Sequence, residues 1–370
     1  MSMTSKERML TALRGGVPDR LPVTIHQWQQ YHLDRYMKGV DQLDAFLAVG
    51  LDASITPSEL SRFHSSPNWR VTEESMGMQD AGHQVTRHRI ATPDGDLTFV
   101  TASSPLTTYV TEHMIKNRQD AEIYLSHRPP QRLDRAVLGR WYDRTGDAGI
   151  VRGFVDMWGQ PGVWQDFCSL VGTQEAIFWA MDEPEFVHHF LDIITQWKAD
   201  YVQREMAGAR YDLIEHGGGT ASSTVISPAM FDEFCAPYDA RVIDALHGVG
   251  LPVVYHTCGG MMAILNNIPG NGCDASETLS PPGVGGDIRR EDRVAVKRVL
   301  GSKVSLIGGL DQHGVLTEGT PGQVKEEITS LFETFGAGGG YICSASDHFF
   351  DAPVENLRAM AEEGLRCRYK

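Results

Sequence analysis

The chain has 370 residues and a formal net charge of −15, with 33 Lys and Arg against 48 Asp and Glu. This length fits one large α/β barrel or two average domains, and it excludes a disulfide-stapled miniprotein. The acidic balance and the absence of long runs of like charge argue against nucleic-acid binding. The sequence lacks both the ~18 uninterrupted apolar residues of a membrane span and an apolar secretory core near its start, so we expect a cytoplasmic protein.

The first third of the chain predicts an N-terminal helix, two strands separated by a helical stretch with Tyr31, Leu33 and Tyr36, and a β-rich segment. Thr4 and Glu7 have capping-box spacing ahead of an apolar stripe, which predicts a helix that ends at Gly15 and Gly16. Short apolar runs at 22–27 and 52–56 predict buried strands. Between about residues 70 and 102, alternating runs flank a Pro-Asp-Gly turn at 93–95, which predicts a β-hairpin insertion.

From residue 149 onward, short apolar runs alternate regularly with long helical patterns, as is typical of strand–helix units around a parallel sheet. The candidate strands are 150–155, 211–215, 252–256, 273–277, 304–308 and 341–344. With the two earlier strands they make eight, so the predicted fold is an α/β (β/α)8 TIM barrel, with residues 1–370 as one domain. A doubly wound open sheet is the alternative. The glycine run at 336–340 argues against it, because a dinucleotide fingerprint follows a strand and this run precedes one.

Potential metal ligands lie at the ends of three predicted strands. His256 and Cys258 end one strand, Glu277 ends the next, and Cys343 lies near the end of the last. The carboxyl ends of barrel strands converge on one mouth. One imidazole, two thiolates and a carboxylate form a donor set for four-coordinate Zn²⁺, so we predict a zinc site there. The other four cysteines are expected to be small buried apolar residues.

Three segments of the sequence resemble the uroporphyrinogen decarboxylase superfamily. They are residues 226–238, the His-Thr-Cys-Gly-Gly turn at 256–260, and Asp347-His348 followed by Glu-Asn-Leu at 355–357. The resemblance covers most of the chain and is strongest from about 210 to 370. It implies the same barrel fold that the alternation of elements predicts.

Within that superfamily, the chain resembles the zinc methyltransferases that work with corrinoid proteins. The decarboxylases carry an arginine-rich stretch after the first strand, whereas residues 24–30 here contain no arginine. The methyltransferases share a His-x-Cys and a distant Cys, which map onto His256, Cys258 and Cys343. Similarity to cobalamin-independent methionine synthase implies Glu277 as the fourth ligand, with Asp274 or water as the alternatives.

The resemblance implies a zinc-dependent methyltransferase that moves a methyl group between a small methylated substrate and the cobalt of a separate corrinoid protein. Demethylation of a methoxylated aromatic or similar compound is the favoured direction, and methylation of a thiol is the opposite one. The alternatives are a metal-free decarboxylase-like lyase and a binding protein that has lost turnover. No segment resembles a cobalamin-binding domain, so we expect the corrinoid to arrive on a partner protein.

Further polar and aromatic residues fall at or just beyond predicted strand ends, where substrates of a barrel enzyme bind. We expect catalytic roles in proton transfer for His348, Glu215 and Asp311. Substrate-binding roles are expected for His26, Asp156, Trp158 and His216. Of these, Trp158 is placed to form the wall beside an aromatic substrate. The glycines at 217–219 indicate either close approach of a bulky ligand or a flexible loop.

Overall fold

The computed structural model describes residues 2–57, 60–79, 82–155, 158 and 160–370. Within this part of the chain the strands are β1 (Val23–Thr24), β2 (Ala53–Ile55), β3 (Ser61–Phe63), β4 (Arg70–Met78), β5 (Gln84–Thr92), β6 (Gly95–Ser103), β7 (Thr108–Glu112), β8 (Gln131–Leu133), β9 (Gly149–Phe154), β10 (Leu213–Gly217), β11 (Val253–His256), β12 (Ala275–Thr278), β13 (Ser305–Leu310) and β14 (Tyr341–Ala345).

The α-helices surround these strands or connect them. They are α1 (Ser5–Leu13), α2 (Gln30–Tyr36), α3 (Gln42–Val49), α4 (Arg118–His127), α5 (Arg135–Thr145), α6 (Val163–Val171), α7 (Thr173–Asp182), α8 (Pro184–Tyr201), α9 (Pro228–Met230), α10 (Ala236–Gly248), α11 (Arg293–Val299), α12 (Pro321–Thr334) and α13 (Val354–Arg366). Among the described residues, no helix is long and apolar enough to cross a membrane.

Eight parallel strands form the barrel in the order β1-β14-β13-β12-β11-β10-β9-β2. The seam between β1 and β2 is bridged by the backbone N–H of Asp52, which donates to the carbonyl oxygen of Val23 at 2.9 Å. The Asp52 carboxylate supports this seam, because it accepts hydrogen bonds from Arg8, Arg20 and the N–H of Val23. The TIM barrel predicted from the sequence is confirmed, with all eight predicted strands present.

Helix α1 closes the bottom of the barrel, and its contacts identify the strand residues that face the barrel interior. The capping box of Thr4 and Glu7 is present at its start. Its apolar face packs against one residue from each of several strands: Ile150, Leu213, Val254, Ala275, Ile307 and Ile342. Because side chains alternate along a strand, the residue two positions further toward the carboxyl end also faces inward. This rule places five polar residues inside the upper barrel, namely Arg152, Glu215, His256, Glu277 and Ser344.

The β-rich insertion is larger than the predicted hairpin. It is an antiparallel sheet of four strands, β4 to β7, that extends from Arg70 to Glu112 rather than ending near 102. The predicted turn at 93–95 connects β5 to β6. The ring of Phe99 on β6 lies 5.7 Å from the ring of Trp158, so the sheet packs beside the loop that follows β9.

His32 on α2 is buried with both ring nitrogens in use. The indole N–H of Trp28 donates to its Nδ1 at 3.0 Å, and its Nε2 lies 2.8 Å from the carbonyl oxygen of Ala352. Because Nδ1 accepts a hydrogen bond, it cannot carry the proton that would make the ring an imidazolium ion. Burial lowers the pKa of His32, despite the opposing contributions of Ala352 and Asp351. Only the neutral ring fits this position.

We expect His32 to make the protein less stable in weak acid. Below the unfolded pKa of about 6.5, the unfolded chain binds a proton that folded His32 does not accept. Its contribution to the free energy of unfolding therefore falls as the pH drops below 6.5, until the folded pKa is reached. Urea titrations at pH 7.5 and 5.5 should show a smaller loss in His32→Gln than in the wild type. An equal loss of unfolding free energy in both proteins would contradict the conclusion that folded His32 is held in its neutral form.

Candidate metal centre at the barrel mouth

A buried arginine organises the inside of the barrel. Arg152 on β9 is 2% exposed, and its Nη2 donates to Glu215 Oε2 at 2.9 Å and to Glu277 Oε1 at 2.7 Å. Burial opposes charging of Arg152, but the two carboxylates outweigh it and raise its pKa. Sequence reasoning missed Arg152. The available signal was a lone basic residue in an otherwise apolar inner strand.

Two histidines lie above this ion pair. His256 Nδ1 is 3.1 Å from Glu277 Oε1 and 3.7 Å from Glu215 Oε1. His26, just beyond β1, lies 3.8 Å from Glu215 and 3.7 Å from Glu277, with its ring centroid 5.0 Å from that of His256. The structure therefore brings together three residues of different predicted roles, His26, Glu215 and Glu277, around His256.

A second group shares His256 and has mixed donor atoms. One ligand atom each of His256, Cys258 and Asp347 lies within 4.8 Å of the other two. Cys258 follows β11 and Asp347 follows β14, and both are half-buried. Imidazole nitrogen, thiolate sulfur and carboxylate oxygen are all ligands that Zn²⁺ accepts. The sequence prediction included His256 and Cys258 but not Asp347.

The structure does not place Cys343 with these residues. Its neighbour Ile342 faces the barrel interior, so Cys343 points outward from β14. Cys343 is fully buried near Tyr341 and Cys367, and this burial raises the pKa of its thiol to about 12. The predicted ligand set therefore needs a correction: Asp347 lies near His256 and Cys258, whereas Cys343 belongs to the packing outside the sheet.

The two carboxylates proposed as fourth ligands occupy opposite ends of β12. Glu277 faces inward and contacts His256, although it is also bound by Arg152. Asp274 precedes the strand, where it pairs with His247 at 2.8 Å and accepts the N–H of Val253 at 2.7 Å. Asp274 is thus at the far end of the strand from the candidate site.

The local charges favour binding of a cation. Burial would raise the pKa of Asp347, but His256 and His26 outweigh it and hold the pKa below its usual value. For Glu277, burial is outweighed by Arg152 and His26, which keep its pKa well below the ordinary range. Burial would lower the pKa of His256, but Cys258 and Glu215 outweigh it and raise that pKa well above normal. Zinc would replace the proton of His256, and a donor set of imidazole, sulfur and carboxylate is one that zinc binds.

His348 lies beside the candidate ligands. Its Nδ1 is 2.8 Å from the Nε2 of Gln29, and its ring centroid is 5.4 Å from that of His26. Burial lowers the pKa of His348 to about 4, and nearby Asp347 only partly offsets this effect. His348 is therefore neutral at pH 7 and acts as a hydrogen-bond donor or acceptor, not as an imidazolium acid.

Two predicted site residues have other roles. Asp311 accepts the backbone N–H groups of His313 and Gly314, and so caps the turn after β13. His216 points outward from β10, where its Nε2 lies 2.9 Å from Asp239 Oδ1 in the buried layer behind the barrel wall. The predicted substrate-binding role of His216 is corrected accordingly, whereas the role of Asp311 in proton transfer stays a prediction.

Trp158 and Asp156 follow β9. The backbone N–H of Trp158 donates to Asp166 Oδ1 at 2.8 Å, and its ring lies 5.9 Å from the ring of Phe63. Trp158 lies in the wall of a cavity near the barrel mouth, as an aromatic substrate contact requires. The predicted residue Asp156 lies outside the described residues.

The glycines after β10 accommodate neighbouring parts of the same chain. A Cβ atom at Gly217 would lie 2.6 Å from the carbonyl oxygen of His256, and one at Gly219 would lie 2.7 Å from Cys258 Sγ. Gly217 also has a φ of +99°, which favours glycine. These glycines leave room for the His256–Cys258 turn, so close approach by a ligand is not needed to explain them.

A cavity of about 250 Å³ opens onto both ligand groups. Its lining residues are His26, Gln27, Phe154, Gln160, Pro161, Glu215, His256, Asp347 and His348. The cavity lies at the carboxyl ends of the barrel strands, which is where barrel enzymes bind their substrates. It gives a small molecule access to the candidate metal ligands.

Comparison with known proteins identifies the family. The sequence profile described as uroporphyrinogen decarboxylase (URO-D) matches residues 160–364, more than half of the chain. The chain belongs to the uroporphyrinogen decarboxylase family. The matched segment contains most of the barrel, including His256, Cys258, Glu277 and Asp347.

Curated relatives of this URO-D family chain have two different activities in their names. A uroporphyrinogen decarboxylase of Pseudoalteromonas translucida is 30% identical over 168 residues, which are 44% of this chain and 43% of that protein. A methylated-thiol–coenzyme M methyltransferase of Methanosarcina mazei is 26% identical over 193 residues, 51% of this chain and 47% of that protein. The chain spans about half the length of the curated relatives it matches.

One solved structure matches the whole fold. A methyltransferase from Methanosarcina mazei superposes with a TM-score of 0.65 at 16% sequence identity, and the match covers 99% of both chains. Because the match covers nearly all of both chains, the two proteins share the fold of the barrel together with its insertion. The relatives are decarboxylases and methyltransferases, which supports an enzymatic role for this chain as well.

Proposed function

We propose that this URO-D family protein is a zinc-dependent methyltransferase, which moves a methyl group between a small methylated compound and the cobalt of a separate corrinoid protein. The observation that carries the proposal is the convergence of ligand atoms of His256, Cys258 and Asp347, of which His256 and Asp347 also line the cavity. These three residues would hold the zinc, and Glu277 lies against His256 as a neighbouring carboxylate. When bound, zinc supplies Lewis acidity toward an oxygen or sulfur atom of the substrate.

The residues around the ligands would position the substrate. The amide of Gln29 donates to Nδ1 of His348, which leaves the proton of the neutral ring on Nε2. That N–H can donate to the oxygen or sulfur atom that carries the methyl group. Arg152 binds Glu215 and Glu277 and so fixes their positions, and Phe154 and Pro161 make part of the cavity wall apolar.

Decarboxylation of a porphyrinogen fits the cavity less well. Among its described lining residues there is no lysine or arginine, and Arg152 is already paired with two carboxylates. A polycarboxylate would therefore lack partners for its charges.

The direction we favour is demethylation of a methoxylated aromatic or similar compound, because aromatic side chains line the space beside the candidate ligands. Methylation of a thiol is the second candidate, and it is supported by the name of the Methanosarcina relative. In demethylation, the methyl group would pass from the aryl oxygen to the Co(I) of the corrinoid substrate, giving methyl-Co(III), and the aryl oxide released by cleavage of the carbon–oxygen bond would take up a proton from water.

The proposal predicts methyl transfer to a free corrinoid. Zinc-loaded protein, incubated anaerobically with cob(I)alamin and 2-methoxyphenol, should form methylcobalamin and catechol, as followed by absorbance and chromatography. Cys258→Ser should lower the rate at least about 100-fold, because it removes a proposed zinc ligand. The corresponding test with methylcobalamin and a thiol distinguishes the opposite direction. Formation of coproporphyrinogen from uroporphyrinogen by metal-free protein, without methyl transfer, would contradict the proposal.

A further inference from the structure

A second cavity, of about 370 Å³, adjoins the cavity at the candidate metal ligands. Gln27 and Phe154 line both cavities, so the two spaces meet at these side chains. The second cavity lies between the loops that follow β2 and β9 and the short strand β3. It is large enough to hold a substituted aromatic ring next to the proposed reaction centre.

The wall of this second cavity is aromatic and uncharged. Four of its lining residues are aromatic, three are aliphatic or proline, and the others are neutral: Phe63, Phe154, Trp158, Tyr211; Pro57, Leu60, Val155; Gln27, Thr56, Ser61, Gln131 and Gly153. No described lining residue carries a charge. Of the undescribed positions 58, 59, 156, 157 and 159, none is basic in the sequence, and Glu59 and Asp156 are acidic.

Contacts behind the aromatic rings make this cavity preformed. Trp158 is fixed by its backbone bond to Asp166 and packs against Phe63 and Tyr124, with ring centroids 5.9 and 6.1 Å away. The ring of Tyr211 lies directly against Gly153 on β9, so closely that a Cβ atom at Gly153 would be only 2.3 Å from the ring. Glycine at position 153 therefore sets the position of this wall.

We propose that the second cavity binds the ring of an uncharged methyl aryl ether, with its methoxy group directed into the cavity at His256 and Asp347. This inference rests on the proposed methyl transfer and adds the site that binds the aromatic ring and the absence of charge on the methyl donor. Stacking and edge contacts with four aromatic residues favour an aromatic ring. A carboxylate or sulfonate on the ligand would lose its hydration, and Arg128, whose guanidinium lies against the Phe63 ring, is not among the lining residues, so anionic substrates are disfavoured.

A cationic ligand is also disfavoured, although aromatic walls can bind quaternary ammonium groups. The guanidinium of Arg128 already lies 5.1 Å from the centroid of the Phe63 ring. A second positive charge near the same ring would be repelled by it. The described residues around the cavity thus favour a neutral ligand over ligands of either charge.

Binding can be measured without any corrinoid. Isothermal titration calorimetry of the zinc-loaded protein should give at least about tenfold tighter binding of 2-methoxyphenol than of 4-methoxybenzoate or phenyltrimethylammonium. Trp158→Ala and Gly153→Ala should each weaken 2-methoxyphenol binding about tenfold, the first by removing wall area and the second by displacing Tyr211. Neither change touches a proposed ligand, so the zinc content should stay at the wild-type value.

Two further variants make the test specific. Ser61→Arg adds a cation to the exposed edge of the cavity, so it should reverse the preference in favour of 4-methoxybenzoate. Phe178→Ala removes an exposed aromatic ring on α7, away from the cavity lining, and should leave binding unchanged. Equal or tighter binding of 4-methoxybenzoate by the wild type, or normal 2-methoxyphenol binding by Trp158→Ala, would overturn the inference.

The results also separate this inference from the proposed function. If 2-methoxyphenol binds as expected but no methylcobalamin forms with any donor, the cavity assignment stands and the methyltransferase proposal fails. If methyl transfer proceeds at rates that Trp158→Ala and Gly153→Ala do not change, the methyltransferase proposal stands and the cavity assignment fails.

Discussion

Cys258→Ser should lower bound zinc from near one per chain to about one tenth of that value, whereas Cys343→Ser should leave it unchanged. Cys258 lies with His256 and Asp347, while Cys343 points out of the barrel toward Tyr341 and Cys367. Loss of a thiolate ligand weakens zinc binding directly, but loss of a thiol in the outer packing does not. Inductively coupled plasma mass spectrometry of protein dialysed after zinc loading measures the difference.

Folding controls complete this comparison of the two cysteines. Cys343→Ser buries a hydroxyl group in a packed layer and should cost about 1–3 kcal/mol of stability, so its circular dichroism and melting curve must be recorded. Asp347→Ala should lose zinc as Cys258→Ser does. Loss of zinc from a fully folded Cys343→Ser protein would show that His256, Cys258 and Asp347 are not the complete set of protein ligands.

Arg152→Met should lower the free energy of unfolding by about 3–5 kcal/mol, the largest stability effect that we expect from one substitution. The change leaves Glu215 and Glu277 buried and close together without the guanidinium that binds them. Removing one partner of a buried ion pair is costly because the remaining charge is uncompensated. Urea denaturation followed by circular dichroism measures the effect.

Matched variants separate loss of charge from loss of packing. Combining Arg152→Met with Glu215→Gln and Glu277→Gln should recover at least half of the lost stability, because it removes the unpaired charges. Arg144→Met is the surface control: Arg144 pairs with Asp41 and Asp44 in solvent, so its loss should cost less than about 1 kcal/mol. A wild-type denaturation midpoint for Arg152→Met would refute the organising role of this arginine.

The fold followed from the sequence because each barrel strand is a short apolar run between helical patterns. Boundary errors of one or two residues do not alter the strand count, so β10 and β12 were predicted with shifted ends but in the correct order. The insertion was underestimated because β4 and β7 lie largely exposed and have little apolar alternation. Their pairing with β5 and β6 depends on tertiary contacts that a local pattern does not encode.

Prediction of the site depended on which residues of each strand face the barrel interior. Because side chains alternate along a strand, an error of one residue in the strand position turns a side chain to the opposite face. Glu215 and His216 are adjacent, yet Glu215 faces the cavity and His216 faces Asp239. The same effect separates Cys343 from the interior, and Asp347 was found only when the loop after β14 was seen in three dimensions. Arg152 was missed because an inward-facing cation in an inner strand has meaning only beside Glu215 and Glu277.

Zinc K-edge X-ray absorption of the wild-type protein is the most direct test of the metal centre. With His256, Cys258 and Asp347 as ligands, the zinc should have one sulfur neighbour, near 2.3 Å as is typical of Zn–S bonds, and nitrogen or oxygen atoms for the rest. The sulfur contribution should disappear in Cys258→Ser and persist in Cys343→Ser. Two sulfur neighbours in the wild type, or none, would contradict this set of ligands.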